Sequence, residues 1–385
     1  MEVRRLYYEN PHLTAFSATV TGCCQTKGGW EVTLDATAFY PEGGGQPCDT
    51  GTLGGSNVLA VREDSEQVFH LCDQPLAIGD TVTGQIDWVR RFDFMQQHSG
   101  EHMVSGVVHK LYGWHNVGFH MGADVVTIDF DGPIPTEDLQ KIEDTVNAAI
   151  WENMPVRCYY PTAEELPAVP YRRKKDLPWP VRIVEIPGID ICACCGTQVT
   201  RTGEIGLVKL FSCVKFHEGV RIEMACGKRA LDILTTAYGQ NKLVSQLFSA
   251  KIPETAAAAQ RMNDALSAEK FRAVSLEKRL FDCIAQGYAG QALAVHFEKE
   301  LTPAANRELC DAIAGHCAVA VTLSGSDETG YSLCVISRTA DAKAIGTALT
   351  AALGGRGGGK REAFQGTTPA KESQIRTFFA NQKII

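Results

Sequence analysis

The sequence predicts an α+β protein in which a small N-terminal domain of antiparallel strands is followed by a mixed part, a helical part and an α/β part. Two observations predict this order. Alternating apolar and polar residues dominate positions 15–87 and return after position 290, whereas helical spacing dominates 228–286. The 385 residues therefore divide into four parts, with predicted boundaries at 1–90, 91–230, 231–289 and 290–385.

The first part is predicted to be a small domain of antiparallel strands. The segments WEVTLDATAFY (30–40) and VTGQIDWV (82–89) alternate apolar and polar residues, as half-buried strands do. The sequences PEGGGQP and LGGSN supply turns between strands. Without further information, the three glycines of the first sequence predict no more than a hairpin turn.

The second part combines helices with strands. The stretch FDFMQQHSGEHMVSGVVHKLYG (92–113) has apolar residues at helical spacing, and TEDLQKIEDTVNAAIWENM (136–154) is an amphipathic helix. The segments ADVVTIDFDG and VRIVEIPG alternate as strands do. Sheets and helices are therefore expected to pack together here.

The third part is predicted to be a long helix or a helical hairpin, interrupted at Pro253 because proline cannot continue a helix. The fourth part alternates strands and helices, as a compact α/β domain does. Within it, the glycine-rich stretch LGGRGGGKREAFQG (353–366) is predicted to be a flexible basic loop.

The composition predicts a soluble protein of the cytoplasm. Hydrophobic residues make up 44% and charged residues 21%, and no apolar run approaches the roughly 18 residues that a membrane span requires. The first residues lack the apolar core of a secretory signal. In a reducing compartment, the 14 cysteines favour metal binding or catalysis over disulfides.

The charge is unevenly distributed. The chain carries a net charge of −8, but residues 341–385 hold seven lysines and arginines against three acids and so carry +4, which leaves −12 for the rest. A basic tail on an acidic body is typical of a surface that binds phosphates, and equally of a solvated chain end.

Two histidines and a cysteine cluster predict a metal site. His98 and His102 stand four residues apart, so on a helix they share one face. A cluster of three cysteines, Cys192, Cys194 and Cys195, is followed by a glycine turn and offers the further ligands that zinc takes in tetrahedral sites. The same helix also matches the H-x-x-E-H motif of inverted zinc peptidases, in which Glu101 is the general base. That alternative leaves the cysteines without a role.

Three segments in this order resemble the editing domain of alanyl-tRNA synthetase and the free-standing AlaX family. They are DATAFYPEGGGQPCDTGTL (35–53), the helix with His98 and His102, and CCGTQVTRTGEIG (194–206). The stretch 353–366 is similar to the DHH-associated C-terminal domain of the long AlaX form. The resemblance implies a barrel-like first domain with a GGGQ turn, a zinc editing domain, a helical linker and a DHH-associated C-terminal domain.

The resemblance also implies the zinc ligands. His98, His102 and Cys194 match three of them, but Gln198 stands where the family usually has a histidine. An amide oxygen is a weaker zinc donor than imidazole. Four arrangements remain open: Gln198 binds through oxygen, water fills the fourth position, Cys192 or Cys195 substitutes, or the metal has been lost.

The implied reaction is ATP-independent hydrolysis of the ester in tRNA(Ala) mischarged with serine or glycine. Glu101 is the candidate general base, and Gln46 is expected to contact the ester or place water. Thr37 matches the family position whose hydroxyl faces the amino-acid side chain, so it is expected to favour serine over alanine. If zinc has been lost, the expectation becomes a tRNA-binding protein without catalysis.

The tRNA itself is expected to meet glycines and basic residues. A homodimer through the helical or C-terminal region is also expected. The expected substrate-binding residues are Gly43, Gly44 and Gly45 at the ribose, Arg172, Arg173 and Lys174 at the acceptor stem, and Arg356, Lys360 and Arg361 on the glycine-rich loop.

Overall fold

The computed structural model of the chain describes residues 3–65, 67–172 and 179–381. Its helices and sheets confirm the mixed α and β composition that the sequence predicts. The chain divides into two compact units, Met1–Leu243 and Val244–Ile385, and the four finer boundaries stay a prediction. Within the described ranges, no helix has the length and apolar character that a membrane span requires.

The first unit begins with a closed barrel of six strands in the order β2-β3-β7-β6-β5-β8. The alternation read from the sequence places Phe16, Ala18 and Val20 in the barrel core. Outside the barrel, β1 pairs in parallel with β4. The elements of this region are β1 (Arg4–Arg5), α1 (Leu6–Glu9), β2 (Ala15–Thr26), β3 (Gly29–Leu34), β4 (Ala36–Thr37), β5 (Gly51–Leu53), β6 (Ser56–Asp64), β7 (Gln67–Cys72) and β8 (Thr81–Ile86).

The helix α2 (Trp88–Tyr112) follows the barrel and is buried along most of its length. The Asp87 side chain caps its first turn by accepting a hydrogen bond from the Arg90 N–H at 3.2 Å. The helix ends at Gly113, whose φ of 76° is the left-handed conformation that favours glycine.

A buried ion pair attaches α2 to the barrel region. The Arg91 guanidinium and the Asp49 carboxylate are both fully buried and hydrogen-bonded to each other. Arg91 also donates to the backbone carbonyls of Pro11 and Ala38. Because breaking a buried pair leaves an uncompensated charge, this contact fixes α2 beside the glycine turn that follows Tyr40.

Two further sheets pack around α2. A four-stranded antiparallel sheet has the order β14-β15-β10-β9, and a three-stranded one has the order β11-β12-β13. Met103 and Val107 of α2 share a core with Ile128 and Ile222 of the larger sheet. The elements are β9 (Asn116–Met121), β10 (Val126–Phe130), α3 (Leu139–Trp151), β11 (Arg157–Tyr159), β12 (Ile183–Ile186), β13 (Asp190–Ala193), β14 (Val208–Phe216) and β15 (Gly219–Cys226).

The second unit contains a five-stranded sheet in the order β16-β17-β18-β20-β19. The helical part is interrupted at Pro253, as predicted, between α4 (Gly227–Leu247), most of which belongs to the first unit, and α5 (Thr255–Gln286). The remaining elements are β16 (Leu293–Glu298), α6 (Pro303–Ala314), β17 (Val319–Ser326), β18 (Gly330–Ser337), α7 (Ala342–Leu353), β19 (Arg356–Lys360), β20 (Ala363–Thr368) and α8 (Glu372–Asn381). The prediction of a glycine-rich loop is wrong, because this stretch forms the edge strand β19, which is paired with β20.

Helix α5 exposes a series of large apolar side chains. Such an exposed apolar surface is compatible with a homodimer through this helix, and the homodimer stays a prediction. These side chains are Met262, Leu266, Phe271, Val274, Leu276 and Leu280.

Candidate metal site and its cavity

The fold brings together three of the predicted metal ligands. One turn of α2 places His98 and His102 on the same face, with their rings stacked 5.3 Å apart. Cys194 follows strand β13, and its sulfur lies 3.3 Å from Nε2 of His98. One ligand atom from each of the three residues lies within 4.8 Å of the others. Two imidazoles and one thiolate are a donor set that zinc takes in proteins, so the residues present fit this metal.

The charges in this cluster favour a thiolate. Burial on its own would raise the pKa of the Cys194 thiol, but the adjacent His98 and His102 imidazoles outweigh it and hold that pKa well below its usual value. Burial would likewise lower the pKa of His102, yet the Cys194 sulfur and the Asp190 carboxylate raise it well above its usual value. Because cysteine binds metals as the thiolate, the cluster is suited to a cation.

Gln46 orients the first histidine. Its Oε1 accepts hydrogen bonds from Nδ1 of His98 at 2.9 Å and from the Thr197 N–H at 3.2 Å, and its Nε2 donates to the Thr197 hydroxyl at 2.7 Å. Gln46 is completely buried. Its amide is therefore engaged in holding His98, which leaves Nε2 of that ring for a metal. This geometry favours a positioning role over the predicted contact with the ester.

Asp190 orients the second histidine, and the sequence did not single it out. Its carboxylate accepts from Nδ1 of His102 at 3.1 Å and from two nitrogens of Arg172 at 2.7 and 2.8 Å. The predicted role of Arg172 at the acceptor-stem phosphates therefore needs correction, because its guanidinium is engaged by a buried carboxylate. Cys192 forms a second possible metal group with His102 and Asp190, so it remains an alternative ligand.

The Gln198 side chain turns its oxygen away from the cluster. Its Oε1 accepts from the Ser99 hydroxyl at 2.7 Å, while its Nε2 donates to the Cys194 sulfur at 3.7 Å. The Ser99 oxygen accepts the Val199 N–H at 3.1 Å, so the hydroxyl proton is available for Gln198 and the amide orientation is consistent. In this arrangement the Gln198 oxygen faces Ser99, so ligation of the metal through that oxygen stays a prediction that this orientation does not support.

The cysteine turn is held by a buried arginine that sequence reasoning also missed. Arg182 donates to the backbone carbonyls of Cys194 and Gly196, both at 2.9 Å, and its guanidinium lies over the Tyr8 ring. Glycine is required at position 196, because a Cβ there would lie 2.1 Å from the His98 ring. No local sequence pattern indicated these contacts.

A cavity of about 270 Å³ opens beside the cluster. On one side lies the predicted glycine turn, in which Gly43 and Gln46 exchange backbone hydrogen bonds. Gly44 and Gly45 have φ values of 60° and 83°, which glycine adopts without strain. A Cβ on Gly45 would also clash with Phe119. The lining residues are Gly44, His98, Glu101, His102, Phe119, Arg172, Cys192, Ala193, Cys194 and Cys195.

Known proteins match the regions that build this site. Residues 181–223 match the family described as "Threonyl and Alanyl tRNA synthetase second additional domain", and residues 12–90 match "tRNA synthetases class II (A)". The chain is 30% identical over 353 residues to the "Alanyl-tRNA editing protein Aarsd1" of Mus musculus, with 88% of this chain and 84% of that protein covered. The chain belongs to the alanyl-tRNA editing protein family.

Two other relatives illustrate the breadth of this family. The "Alanyl-tRNA editing protein AlaX-L" of Pyrococcus horikoshii is 33% identical over 256 residues, which cover 63% of each chain. The "Alanine--tRNA ligase" of Thermofilum pendens is 33% identical over 392 residues, which cover 94% of this chain and 42% of the ligase.

In this family member, Glu101 lies in the cavity wall next to His102. Its carboxylate accepts a hydrogen bond from the Ser105 hydroxyl at 2.6 Å and another from the Asn116 amide. The residue is buried. These bonds hold the carboxylate in the cavity wall, and its role as a general base stays a prediction.

The position of Thr37 does not support its predicted role in selectivity, which stays a prediction. Its hydroxyl contacts Nε2 of His70 at 2.8 Å and accepts the Phe39 N–H at 3.1 Å. Nδ1 of His70 lies 3.0 Å from the Val32 carbonyl and therefore carries the proton, so the Thr37 hydroxyl donates to Nε2. Thr37 is completely buried and does not line the cavity. Burial also lowers the pKa of His70 to about 4, which keeps this contact neutral.

The predicted basic contacts fall into two groups. Arg173 and Lys174 lie outside the described residues. Arg356 and Lys360 stand at the two ends of β19 and Arg361 follows it, and all three are exposed in the second unit.

Proposed function

We propose that this chain is a zinc-dependent hydrolase that cleaves the ester of tRNA(Ala) mischarged with serine or glycine. The observation that carries the proposal is the cluster of His98, His102 and Cys194 beside a cavity of about 270 Å³. A cavity below the roughly 300–1,000 Å³ of common small-molecule sites suits a small aminoacyl ester. The mouse and Pyrococcus relatives are named alanyl-tRNA editing proteins, which supports this substrate class.

The metal would be held by Cys194 Sγ and by the ring nitrogens that Gln46 and Asp190 leave available on His98 and His102. When bound, zinc supplies a Lewis acid that polarises an ester carbonyl. Gln198 would not compete as a ligand in this orientation, because its amide nitrogen donates to the sulfur.

Glu101 is the group that would move protons. Hydrolysis requires water to attack the ester carbon while a base takes one proton, and the departing ribose oxygen must gain a proton as the ester C–O bond breaks. A carboxylate fixed in the cavity wall by Ser105 and Asn116 is placed to accept the first proton and return it to the ribose oxygen. Phe119 and Ala193 contribute apolar surface to the cavity.

The two alternatives account for less of the geometry. An inverted zinc peptidase would use His98, Glu101 and His102 but leave unexplained why the Cys194 sulfur lies 3.3 Å from the His98 ring. If Gln198 were a required ligand, the chain would be a tRNA-binding protein that has lost its metal. The hydrogen bonds of Gln198 instead assign that residue another role.

Deacylation by the purified protein tests the proposal. Ser-tRNA(Ala), Gly-tRNA(Ala) and Ala-tRNA(Ala) are each incubated with the full chain, and the remaining ester is counted over time. We expect the first or the second to be cleaved well before the third. Binding of all three without cleavage would favour the non-catalytic alternative, and cleavage of casein would favour the peptidase.

A further inference from the structure

A second cavity of about 540 Å³ lies on the other side of the Arg172–Asp190 ion pair. Arg172 lines both cavities, while His102 faces the first and its partner Asp190 the second. The two cavities are therefore separated by one ion pair. Both are built entirely from residues of the first compact unit.

The second cavity combines an apolar wall with a cationic rim. Ile189 and Tyr171 supply apolar and aromatic surface. Lys110 is exposed at the rim and makes no ion pair with any described residue. The imidazoles of His109 and His115 lie 5.1 Å apart beside it.

The carboxylates near this cavity already have hydrogen-bond partners within the chain. Asp190 accepts from Arg172 and His102, which leaves Lys110 as the cation without a partner among the described lining residues. Asp131 accepts from the backbone N–H of His115 at 2.7 Å and contacts its ring at 3.2 Å. Lys110 therefore gives the described part of the rim a cation that no carboxylate engages, which favours contact with an anionic group.

We propose that this second cavity binds the nucleotide that precedes the esterified one in the single-stranded 3′ end of the substrate. The inference rests on the proposed function. The aminoacyl group and the nucleoside that carries it would occupy the first cavity and its opening, so the preceding nucleotide has to lie outside it, and the second cavity is the adjoining one. Aromatic and imidazole rings stack on unpaired bases, and a lysine beside them holds the phosphate.

Binding of the trinucleotide CCA without an aminoacyl group and hydrolysis of seryl-adenosine test this assignment separately. Both are measured with the full-length protein and with the variants Lys110→Ala and Tyr171→Leu. Lys27→Ala is the matched control, since Lys27 is exposed in a turn of the barrel. For Lys110→Ala we expect CCA to bind roughly tenfold more weakly, as loss of one charge-assisted hydrogen bond implies. The log–log salt slope should fall by about 0.7, the value for one phosphate of a single strand.

Seryl-adenosine has no preceding nucleotide, so its kcat/KM should be unchanged in both variants. If Lys110→Ala binds CCA as tightly as the Lys27→Ala control, the cavity is not a nucleotide site. Equal losses on CCA and on seryl-adenosine would also overturn the assignment, because the cavity would then act through the metal site. Failure of the wild type to hydrolyse any ester would refute the proposed function and leave the CCA comparison valid.

Discussion

Replacing Asp190 with asparagine should weaken zinc binding without removing a ligand. The Asp190 carboxylate is 2% exposed and accepts from Nδ1 of His102 and from Arg172. Loss of such a partner behind a metal-binding histidine typically costs 10–100-fold in affinity, about 1.4–2.8 kcal/mol. The same change leaves the Arg172 guanidinium, 12% exposed, without its counter-charge. Breaking a buried pair costs about 3–5 kcal/mol. Because the asparagine side chain keeps one oxygen that can accept from Arg172, we expect a loss of folding stability near the lower figure.

The double variant Asp190→Asn with Arg172→Gln separates these two effects. Removing both charges should restore most of the folding stability lost at Arg172, because the guanidinium is no longer left without its counter-charge. It should not restore zinc affinity, since the carboxylate that orients His102 is still absent. Folding stability is read from denaturant unfolding of the metal-free protein, and zinc affinity from competition with a chromophoric chelator.

Two results would refute this reasoning. Wild-type zinc affinity in Asp190→Asn would mean that the carboxylate does not support His102 as a ligand. Full recovery of zinc affinity in the double variant would mean that Asp190 acts only through folding.

Three further changes test other parts of the site. Thr37→Val leaves Nε2 of His70 without its donor, so we expect about 1–3 kcal/mol less stability in denaturant unfolding and equal effects on Ser-tRNA(Ala) and Gly-tRNA(Ala); a loss confined to the serine ester would restore the predicted role in selectivity. Gln198→His should bind zinc more tightly in the chelator assay, because imidazole is the better donor, and weaker binding would argue against an accessible fourth position. The third variant replaces Arg356, Lys360 and Arg361 with alanine. It should raise KM for tRNA and lower the salt slope of tRNA binding by about 2–3, while seryl-adenosine hydrolysis stays unchanged. An unchanged salt slope would exclude these side chains as phosphate contacts.

Features with short sequence spacing were predictable. The interval between His98 and His102 places both on one face of any helix, and glycines at 43–45 indicate a tight turn wherever they occur. The alternation of the first strands likewise indicated which of their residues lie in the barrel core.

Contacts between distant segments were not predictable from local patterns. Gln46 meets Thr197 across 151 positions, and Thr37 meets His70 only because strands come together in the barrel region. Nothing in the sequence around Asp190 marks it as the partner of His102. These contacts depend on strand register and on how the barrel packs against α2, which residue type alone does not determine.

The glycine-rich strand shows a different limit. Glycine has low strand propensity, so the RGGGK stretch resembles a loop. Pairing with β20 overrides that preference, and Gly359 fits because a Cβ there would lie 2.1 Å from the Ala363 carbonyl oxygen. Tertiary pairing, rather than local propensity, determines the structure here.

Hydrolysis of a mischarged tRNA ester should depend on a metal bound by His98, His102 and Cys194. The most direct measurement follows zinc content and Ser-tRNA(Ala) hydrolysis in one preparation, before chelation, after it, and after zinc is added back. We predict about one zinc per chain, loss of activity with the metal and its return with zinc, and neither zinc nor activity in Cys194→Ala. Full activity in protein stripped of metal, or full zinc content in Cys194→Ala, would contradict the account.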